Sequence, residues 1–283
     1  MLKRFISYYR PHRRLFILDM LASLAVSLVG ILYPIITRLM LNDLIPEKRY
    51  RTIILCGAGL LLLYIVRMLL NYFIQYQGHM MGVRMQAQMR SDMFNHLEKL
   101  SFTFYDNHET GKIMSRMTND LMDISELAHH GPENVLISTI TVITSFVYLS
   151  SINVKLTLIV FACVPFLILI ALLLRKKMRN AFMKSRRSIA VINAALESSI
   201  SGIRVTKAFT NAEKEREKFE DGNGQFIEAR REAYRAMGQF HSTTSFITDI
   251  FNVVVLIAGG LFLYNNEIVF GDYSAFVVSI SMF

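Results

Sequence analysis

The sequence predicts an all-α membrane protein that crosses the bilayer six times and carries two long helical segments outside it. The chain of 283 residues is 53% hydrophobic with a mean hydropathy of +0.36, which is too apolar for an ordinary water-soluble domain. Yet 19% of its residues are charged, too many for a bundle buried wholly in lipid. The charges therefore belong to segments outside the membrane, and these segments keep a helical apolar period.

Five apolar stretches approach or exceed the roughly 20 residues that a helix needs to cross a hydrocarbon core of about 30 Å. The predicted spans are residues 15–37, 52–74, 135–151, 156–174 and 242–263, with the start of a sixth at 273–283. Pro165 predicts a kink in the fourth span. Gly271 and Asp272 are interpreted as a helix stop and an N-cap before the sixth.

Two polar segments, residues 75–134 and 175–241, separate these spans and are predicted to be helical extensions. The second span continues into the first segment as an amphipathic helix, because apolar residues recur there every four positions. They are Met81, Met85, Met89, Met93 and Leu97. No proline occurs in residues 52–100, so one helix of roughly 70 Å is expected, with any bend at Gly78 or Gly82. Gly131 and Pro132 predict a kink or boundary on the return to the membrane.

Each extension is predicted to reverse at a short tip. The first tip follows the aromatic pair Phe104 and Tyr105 and is rich in turn residues, among them Asp106 and Gly111. Gly111 suits a positive φ. The second tip is predicted near Thr210 and Asn211, where a charged helix begins.

Basic residues indicate which side each segment faces. Of the 31 Lys and Arg, 25 lie in residues 1–14, 75–134 and 175–241. Such loops are cytoplasmic by the positive-inside rule, so the N-terminus is predicted to be cytoplasmic. The net charge of +9 is explained by this segregation, and nucleic-acid binding is not expected.

The stretch 97–120 also resembles the first cytoplasmic loop of exporter-type ATP-binding-cassette (ABC) transporters. The matching residues are Phe104, Tyr105, Asp106, Gly111, Ser115, Arg116, Asn119 and Asp120. Further matches are Lys155, Leu156 and Thr157 at the fourth span, Glu197, Gly202, Val205, Lys207, Phe209 and Phe219 in the second loop, and Gly271, Ala275 and Phe276 at the sixth span. Over its full length the chain resembles the six-helix transmembrane domain of a bacterial multidrug-type half-transporter, with the sixth helix truncated.

The resemblance implies that both tips are coupling helices that dock on nucleotide-binding domains. The implied contacts are Tyr105, Asp106 and Glu109 in the first tip and Phe209, Thr210 and Asn211 in the second. In the family the second tip reaches the opposite subunit's domain, so a domain-swapped dimer of identical or related halves is expected. The implied function is ATP-driven export of a drug-like, lipid or peptide substrate across the bacterial inner membrane by alternating access.

The sequence contains no P-loop. That motif is G-x-x-x-x-G-K-[ST], and the sequence has one Gly-Lys pair, Gly111 and Lys112. Asp106 stands where the motif needs its first glycine, and Ile113 stands where it needs Ser or Thr. We therefore expect no cofactor and no catalytic residue in this chain. ATP and Mg²⁺ are expected in a nucleotide-binding domain, either in a longer protein of which this sequence is a part or in a separate chain.

Polar residues inside spans are costly and often functional. Arg67, Asn71, Asp249 and Asn252 are candidates for a substrate cavity, and Asp249 and Asn252 share one helix face. Interhelical hydrogen bonds or salt bridges are the alternative, as they are for Asp19.

No metal site is predicted. His129 and His130 are adjacent and should point about 100° apart on a helix, which makes a poor chelate. Cys56 and Cys163 lie in apolar spans and are interpreted as small buried residues.

Two other classes of function are alternatives for this sequence. An ion-coupled secondary transporter would favour broken helices and central carboxylates at mid-membrane, and the long proline-free helices argue against it. A membrane scaffold or channel without energy coupling is the other alternative.

Overall fold

The computed structural model describes residues 2–281, and every regular element in this range is a helix. The chain divides into two compact units. The first unit comprises the residues up to Val154 together with those from Gly260 onward, and the second comprises Lys155–Gly259. The all-α fold class predicted from the sequence is confirmed.

The first unit contains eight α-helices within the described residues. They are α1 (Leu2–Ser7), α2 (Arg13–Leu39), α3 (Tyr50–Phe73), α4 (His79–Leu97), α5 (Phe102–Asp106), α6 (Thr110–Ser115), α7 (Leu121–Ile152) and α12 (Phe270–Ile280). The second unit contains α8 (Val154–Phe161) except for its first residue, α9 (Cys163–Ser201), α10 (Ile203–Ala208) and most of α11 (Ala212–Tyr264).

Five continuous helical stretches are long and apolar enough to cross a membrane. They are Lys3–Leu44, Tyr50–Leu97, Thr110–Ile152, Val154–Ser201 and Ala212–Tyr264. The apolar helix Phe270–Ile280 is shorter, and it covers the described part of the predicted sixth span; residues 282 and 283 lie outside the described range.

The predicted continuous helix through the second span is confirmed. A π-helical turn, Ile74–Gly78, joins α3 to α4, so that the stretch Tyr50–Leu97 holds 48 residues. At 1.5 Å per residue this is roughly 70 Å, more than twice the thickness of the hydrocarbon core. The π-helical turn ends at Gly78, one of the two glycines expected to mark an irregularity.

The methionine stripe of α4 forms the contact with α7. Met81 and Met85 are fully buried, and with Met89 they form a core with Tyr8 and Leu121. The predicted amphipathic helix is confirmed, and the buried methionines of its apolar face are packing residues. The N-terminal segment covers the same core, which ties it to the two long helices.

Helix α7 continues through Pro132, so the predicted boundary there is wrong. Proline cannot donate to the carbonyl four residues earlier, here that of Ala128. The hydroxyl of Tyr9 donates to this oxygen instead, at 2.7 Å. A residue distant in sequence thus replaces the missing hydrogen bond, and the helix persists.

Two further features lie a few residues from their predicted positions. The helix of the fourth span is interrupted at Ala162, three residues before Pro165, because a proline in the first turn of α9 supplies no N–H to the preceding turn.

The N-cap of α12 is Val269, not Asp272, so Gly271 and Asp272 lie inside the helix. The Asp272 carboxylate accepts the Val269 N–H at 3.2 Å, and the Gly271 N–H donates to Asn42 at 2.8 Å.

The second unit is held together by small residues. Ala181 of α9 packs against Ala233 and Ala236 of α11, with Met178 and Phe182 beside them. Alanines at the contact allow two helices to approach closely. An exposed ion pair, Lys184 Nζ to Glu232 at 2.6 Å, adds to this contact.

Candidate functional site

The first loop tip, residues 101–109, is a compact turn at the end of α4. The hydroxyl of Tyr105 donates to the carbonyl of Leu97 at 2.6 Å, which fixes the short helix α5 against the end of α4. The Phe104 ring stacks on His108 with the ring centres 4.1 Å apart. The tip is therefore an ordered structure and not a loose hairpin.

The exposed side chains of the first loop tip form a mixed apolar and acidic surface. Tyr105, Asp106 and Glu109 are exposed, as predicted, and Glu109 is the residue before α6. Phe102 is 89% exposed and is the most exposed large apolar residue of the tip. Phe102 was not among the predicted contacts, although its place directly after Ser101, beside the aromatic pair Phe104 and Tyr105, was the available signal.

One detail of the predicted first turn is wrong. Gly111 lies inside α6, which begins at Thr110, and no described glycine has a positive φ. The reversal is made by residues 107–109, before the glycine. Asn107 supports it by donating a side-chain hydrogen bond to the Thr103 carbonyl at 2.8 Å.

The second loop tip, residues 209–211, lies where the sequence predicted it. It separates α10 from α11, and Thr210 has a φ of +54°, an uncommon conformation for a β-branched residue. The Asn211 N–H closes the turn by donating to the Thr206 carbonyl at 3.0 Å. Phe209 is 79% exposed at the outer edge of the turn.

The helices behind the second loop tip are joined by polar contacts. The Ser199 hydroxyl of α9 donates to Glu215 of α11 at 2.5 Å, and Lys218 donates to the same carboxylate at 2.8 Å. The hydrogen bonds from Lys218 and Ser199 lower the pKa of the Glu215 carboxyl, so it is ionised at neutral pH. These contacts hold the ends of α9 and α11 together close to the exposed Phe209.

The two loop tips thus share one chemistry, although they belong to different units. Each places an exposed phenylalanine at the end of long helices, on a backbone closed by internal hydrogen bonds. An exposed aromatic ring provides a large contact area at a low cost in conformational entropy. Both tips can therefore serve as docking points for another protein surface.

The predicted cavity residues occur as two separate pairs, each on one helix. Arg67 and Asn71 lie on α3, where they share one open helix face with Tyr64 and Met68. Asp249 and Asn252 are exposed on α11, away from its buried residues Ile247, Phe251 and Val255. In both pairs the polar groups face outward from their own unit.

A polar network at the end of α2 was not anticipated. Arg38 Nε donates to Asp272 Oδ1 at 2.5 Å, and the Asn42 amide donates to the same oxygen at 3.1 Å. The three side chains connect α2 and the π-helical turn that follows it to the start of α12. The sequence could not reveal this contact because Arg38 and Asp272 are separated by most of the chain.

Comparison with known proteins identifies the family. The family model described as "ABC transporter transmembrane region" matches residues 16–283. The chain belongs to this family. The resemblance found in the sequence analysis is thereby confirmed, and the chain is a multi-pass membrane protein with the transmembrane architecture of an ABC exporter.

Relatives of this ABC transmembrane region occur in bacteria. The Bacillus subtilis (strain 168) protein named "Uncharacterized ABC transporter ATP-binding protein YwjA" is 37% identical over 278 residues, which cover 98% of this chain and 48% of that protein. The Staphylococcus aureus (strain bovine RF122 / ET3-1) protein named "Putative multidrug export ATP-binding/permease protein SAB1799c" is 24% identical over 284 residues, or 98% of this chain and 49% of that protein. The chain spans about half the length of the curated relatives it matches.

Proposed function

We propose that this chain is the membrane-spanning half of an ATP-driven exporter, which moves a drug-like, lipid or peptide substrate out of the cell by alternating access. The two loop tips carry this proposal. They are ordered, they expose aromatic side chains, and they end helices that are far longer than a bilayer requires. A transport domain needs such contacts if the energy is supplied by a protein outside the membrane.

In this proposal ATP and Mg²⁺ bind to a nucleotide-binding domain that contacts both loop tips. The names of the relatives, which include "ATP-binding" and "multidrug export", support this assignment. Tyr105, Asp106 and Glu109 make the first contact, and Phe209, Thr210 and Asn211 make the second. Continuous helices behind each tip transmit the motion of that domain toward the membrane.

The working unit is a dimer of this chain with an identical or related half. Apolar side chains on the part of α9 beyond the membrane support this proposal. Val191 and Ile200 of α9 are exposed, as are Ile203 and Val205 of α10. A water-exposed helix with such a surface is stabilised when another helix covers it. In the dimer the second loop tip contacts the nucleotide-binding domain of the opposite half.

The substrate is held between the membrane helices of the two halves. Arg67, Asn71, Asp249 and Asn252 line that cavity, where Asp249 favours cationic substrates. The protein lies in the bacterial inner membrane with its N-terminus in the cytoplasm, which the segregation of basic residues supports.

The test is transport by the full-length protein in inside-out vesicles, with a fluorescent hydrophobic cation as substrate. We expect uptake that requires ATP, is blocked by vanadate and is unaffected by collapse of ion gradients. Uptake that continues without nucleotide and follows an ion gradient would identify an ion-coupled carrier instead. If neither ATP nor a gradient drives uptake, this cation is not exported, and substrates of the lipid and peptide classes are measured under the same conditions before the scaffold or channel alternative is adopted.

A further inference from the structure

A partly buried group of histidines and carboxylates lies where α2, α4 and α7 meet in the first unit. We call it the histidine cluster: His79, His129, His130, Asp19 and Glu133. The ligand atoms of the three histidines all lie within 4.8 Å of one another. No part of the proposed transport function uses this cluster.

The local fold makes room for these side chains. The ring of His129 lies against the backbone of Gly78, where even a Cβ atom would overlap it. Gly78 ends the π-helical turn Ile74–Gly78, and π-helical turns inside α-helices occur frequently at functional sites. His79, the next residue, is thereby placed with its ring centre 4.9 Å from that of His129 and 5.0 Å from that of His130.

Two members of the cluster are buried polar groups without a hydrogen-bond partner. Asp19 is fully buried, His129 is 2% exposed, and neither the carboxylate oxygens nor the ring nitrogens of this pair make a hydrogen bond. An ionisable side chain buried in this way is costly unless another group compensates it. Asp19 also lies within the predicted first span, residues 15–37, where an uncompensated charge is costlier still.

The distances between these groups match the spacing of ligands around a metal ion. His129 Nε2 is 3.4 Å from Glu133 Oε2, and His130 Nδ1 is 3.3 Å from the same oxygen. Two ligand atoms about 2.0 Å from a tetrahedral Zn²⁺ ion lie about 3.3 Å apart. One ion can therefore bind both nitrogens and the Glu133 oxygen after small side-chain adjustments.

Each histidine also has an oxygen acceptor for its second ring nitrogen. His79 Nδ1 lies 2.6 Å from the Gln75 carbonyl and must carry the proton, since a carbonyl only accepts; Nε2 is then free to bind a metal. His129 Nδ1 faces Asp19 at 3.6 Å, and His130 Nε2 faces Glu126 at 3.6 Å. Metal-bound histidines almost always have such an acceptor, which fixes the ring orientation.

From this geometry we propose that the histidine cluster binds a divalent transition-metal ion of the Zn²⁺ class. His79, His129 and His130 are the nitrogen ligands, and Glu133 is the oxygen ligand. Asp19 accepts the Nδ1–H of His129 and orients its ring. Three imidazoles and a carboxylate form a typical Zn²⁺ donor set.

No metal site was predicted from the sequence, because adjacent histidines diverge on a helix. In the structure a third histidine, His79, comes from another helix, and the Glu133 carboxylate lies one turn away from His129. His130 is 37% exposed, which gives an ion a route into the cluster from solvent. The bound ion joins α4 to α7 next to the buried methionine core.

The test is Zn²⁺ binding by the full-length protein, purified without a histidine tag in detergent and stripped with a chelator. Competition against a chromogenic chelator should show one tight Zn²⁺ site per chain. His79→Ala and His130→Ala should each weaken the Zn²⁺ affinity by about 100-fold or more. The isosteric Asp19→Asn should weaken it by about 10- to 100-fold, as expected for a residue that orients a metal-binding histidine. Substitution with Co²⁺ should give the intense visible absorption of a tetrahedral site, and this absorption should be absent in both histidine variants.

His96→Ala is the matched control, because it removes an exposed histidine from the same helix α4. It should retain wild-type affinity, and circular dichroism of every variant confirms that the helices remain folded. The proposal is overturned if the wild-type protein binds no stoichiometric Zn²⁺, or if His79→Ala and His130→Ala bind it as tightly as His96→Ala does. Because binding is measured directly, this result is independent of whether the protein transports anything.

Discussion

The two helical hairpins outside the predicted spans are held together in different ways. In the first, α4 and α7 meet through long buried side chains, of which Met81 and Met85 are fully enclosed. In the second, α9 and α11 meet through Ala181, Ala233 and Ala236, with exposed polar contacts beside them. The first contact is a core like that of a soluble protein, and the second is a close approach of two backbones.

This difference indicates where the stability of each hairpin originates. The first hairpin buries large apolar groups and is covered by the N-terminal segment, so its own unit can maintain it. The second hairpin buries little and leaves Val191 and Ile200 exposed on α9. We therefore infer that the second hairpin depends more on contacts made in the assembled transporter.

The largest expected effect on transport comes from the two loop tips. Tyr105→Ala combined with Phe209→Ala should reduce ATP-dependent transport by more than about tenfold, equivalent to at least ~1.4 kcal/mol in coupling. ATP binding should persist, because the changes lie outside the nucleotide-binding domain. The matched control is Tyr264→Ala, which removes an exposed aromatic ring at the far end of α11.

Transport and ATP binding are measured on the same vesicle preparations. The single variants then show whether both tips are required. Unchanged transport in the double variant would remove the role assigned to the tips.

The largest expected effect on stability concerns the core of the first hairpin. Met85→Ala should lower the free energy of unfolding by about 2–5 kcal/mol, because it leaves a cavity in a fully enclosed site. Thermal unfolding of the detergent-solubilised protein, followed by circular dichroism, measures the change. Met114→Ala, at an exposed position of α6, should have little effect. Equal melting temperatures for both variants would refute the description of the first hairpin as a packed core.

A smaller effect on stability is expected in the second hairpin, where the test enlarges a buried side chain instead of shortening one. Ala233→Leu should destabilise the contact of α9 and α11 by about 1–3 kcal/mol, because a larger side chain forces the two helices apart. Ala190→Leu, on an exposed position of α9, serves as the control and should be nearly neutral. Chemical cross-linking of α9 to α11 reports the separation directly, and an unchanged yield in Ala233→Leu would contradict close packing through alanine.

The smallest effect concerns the exposed ion pair of the second hairpin. The hydrogen bond from Lys184 lowers the pKa of the Glu232 carboxyl below its ordinary value of 4.5. A lowered pKa stabilises the folded state above the ordinary value and ceases to do so as the pH falls through the lowered one. Lys184→Met should therefore cause a slight loss of melting temperature at pH 7, a loss that disappears at acid pH and in high salt.

Lys214→Met provides the comparison for that measurement, since Lys214 is exposed on the same hairpin. Its melting temperature should match that of the wild-type protein at both pH values. A difference for Lys184→Met that grows as the pH falls would reverse the sign predicted for Glu232.

Periodicity and composition predicted the elements of the fold well because these features depend on neighbouring residues. The absence of proline in residues 52–100 and the methionine spacing predicted the long helix and its packed face. The second tip was correctly predicted near Thr210. Gly111 was predicted to lie in the first turn, but that turn is formed by residues 107–109 and Gly111 lies inside α6. The interruption of the fourth span was placed within three residues.

The features that the sequence did not reveal depend on contacts between distant residues. The helix survives Pro132 because Tyr9 supplies the missing hydrogen bond, and no local pattern shows this. His79 joins His129 only because α4 and α7 pack with Gly78 between them. The assignments of Tyr105, Phe209 and the polar pairs on α3 and α11 stay predictions, since they concern partners that bind from outside the chain.

The central claim is that both loop tips contact an ATP-binding domain, and site-specific photocrosslinking tests it most directly. A photoreactive amino acid is placed at position 102, 209 or 264 of the full-length transporter in membranes, and the crosslinked peptides are identified by mass spectrometry. We predict crosslinks from positions 102 and 209 to the nucleotide-binding domain, and none from position 264. Crosslinks from the two tip positions to lipid or to the membrane helices, with none to the nucleotide-binding domain, would contradict the account.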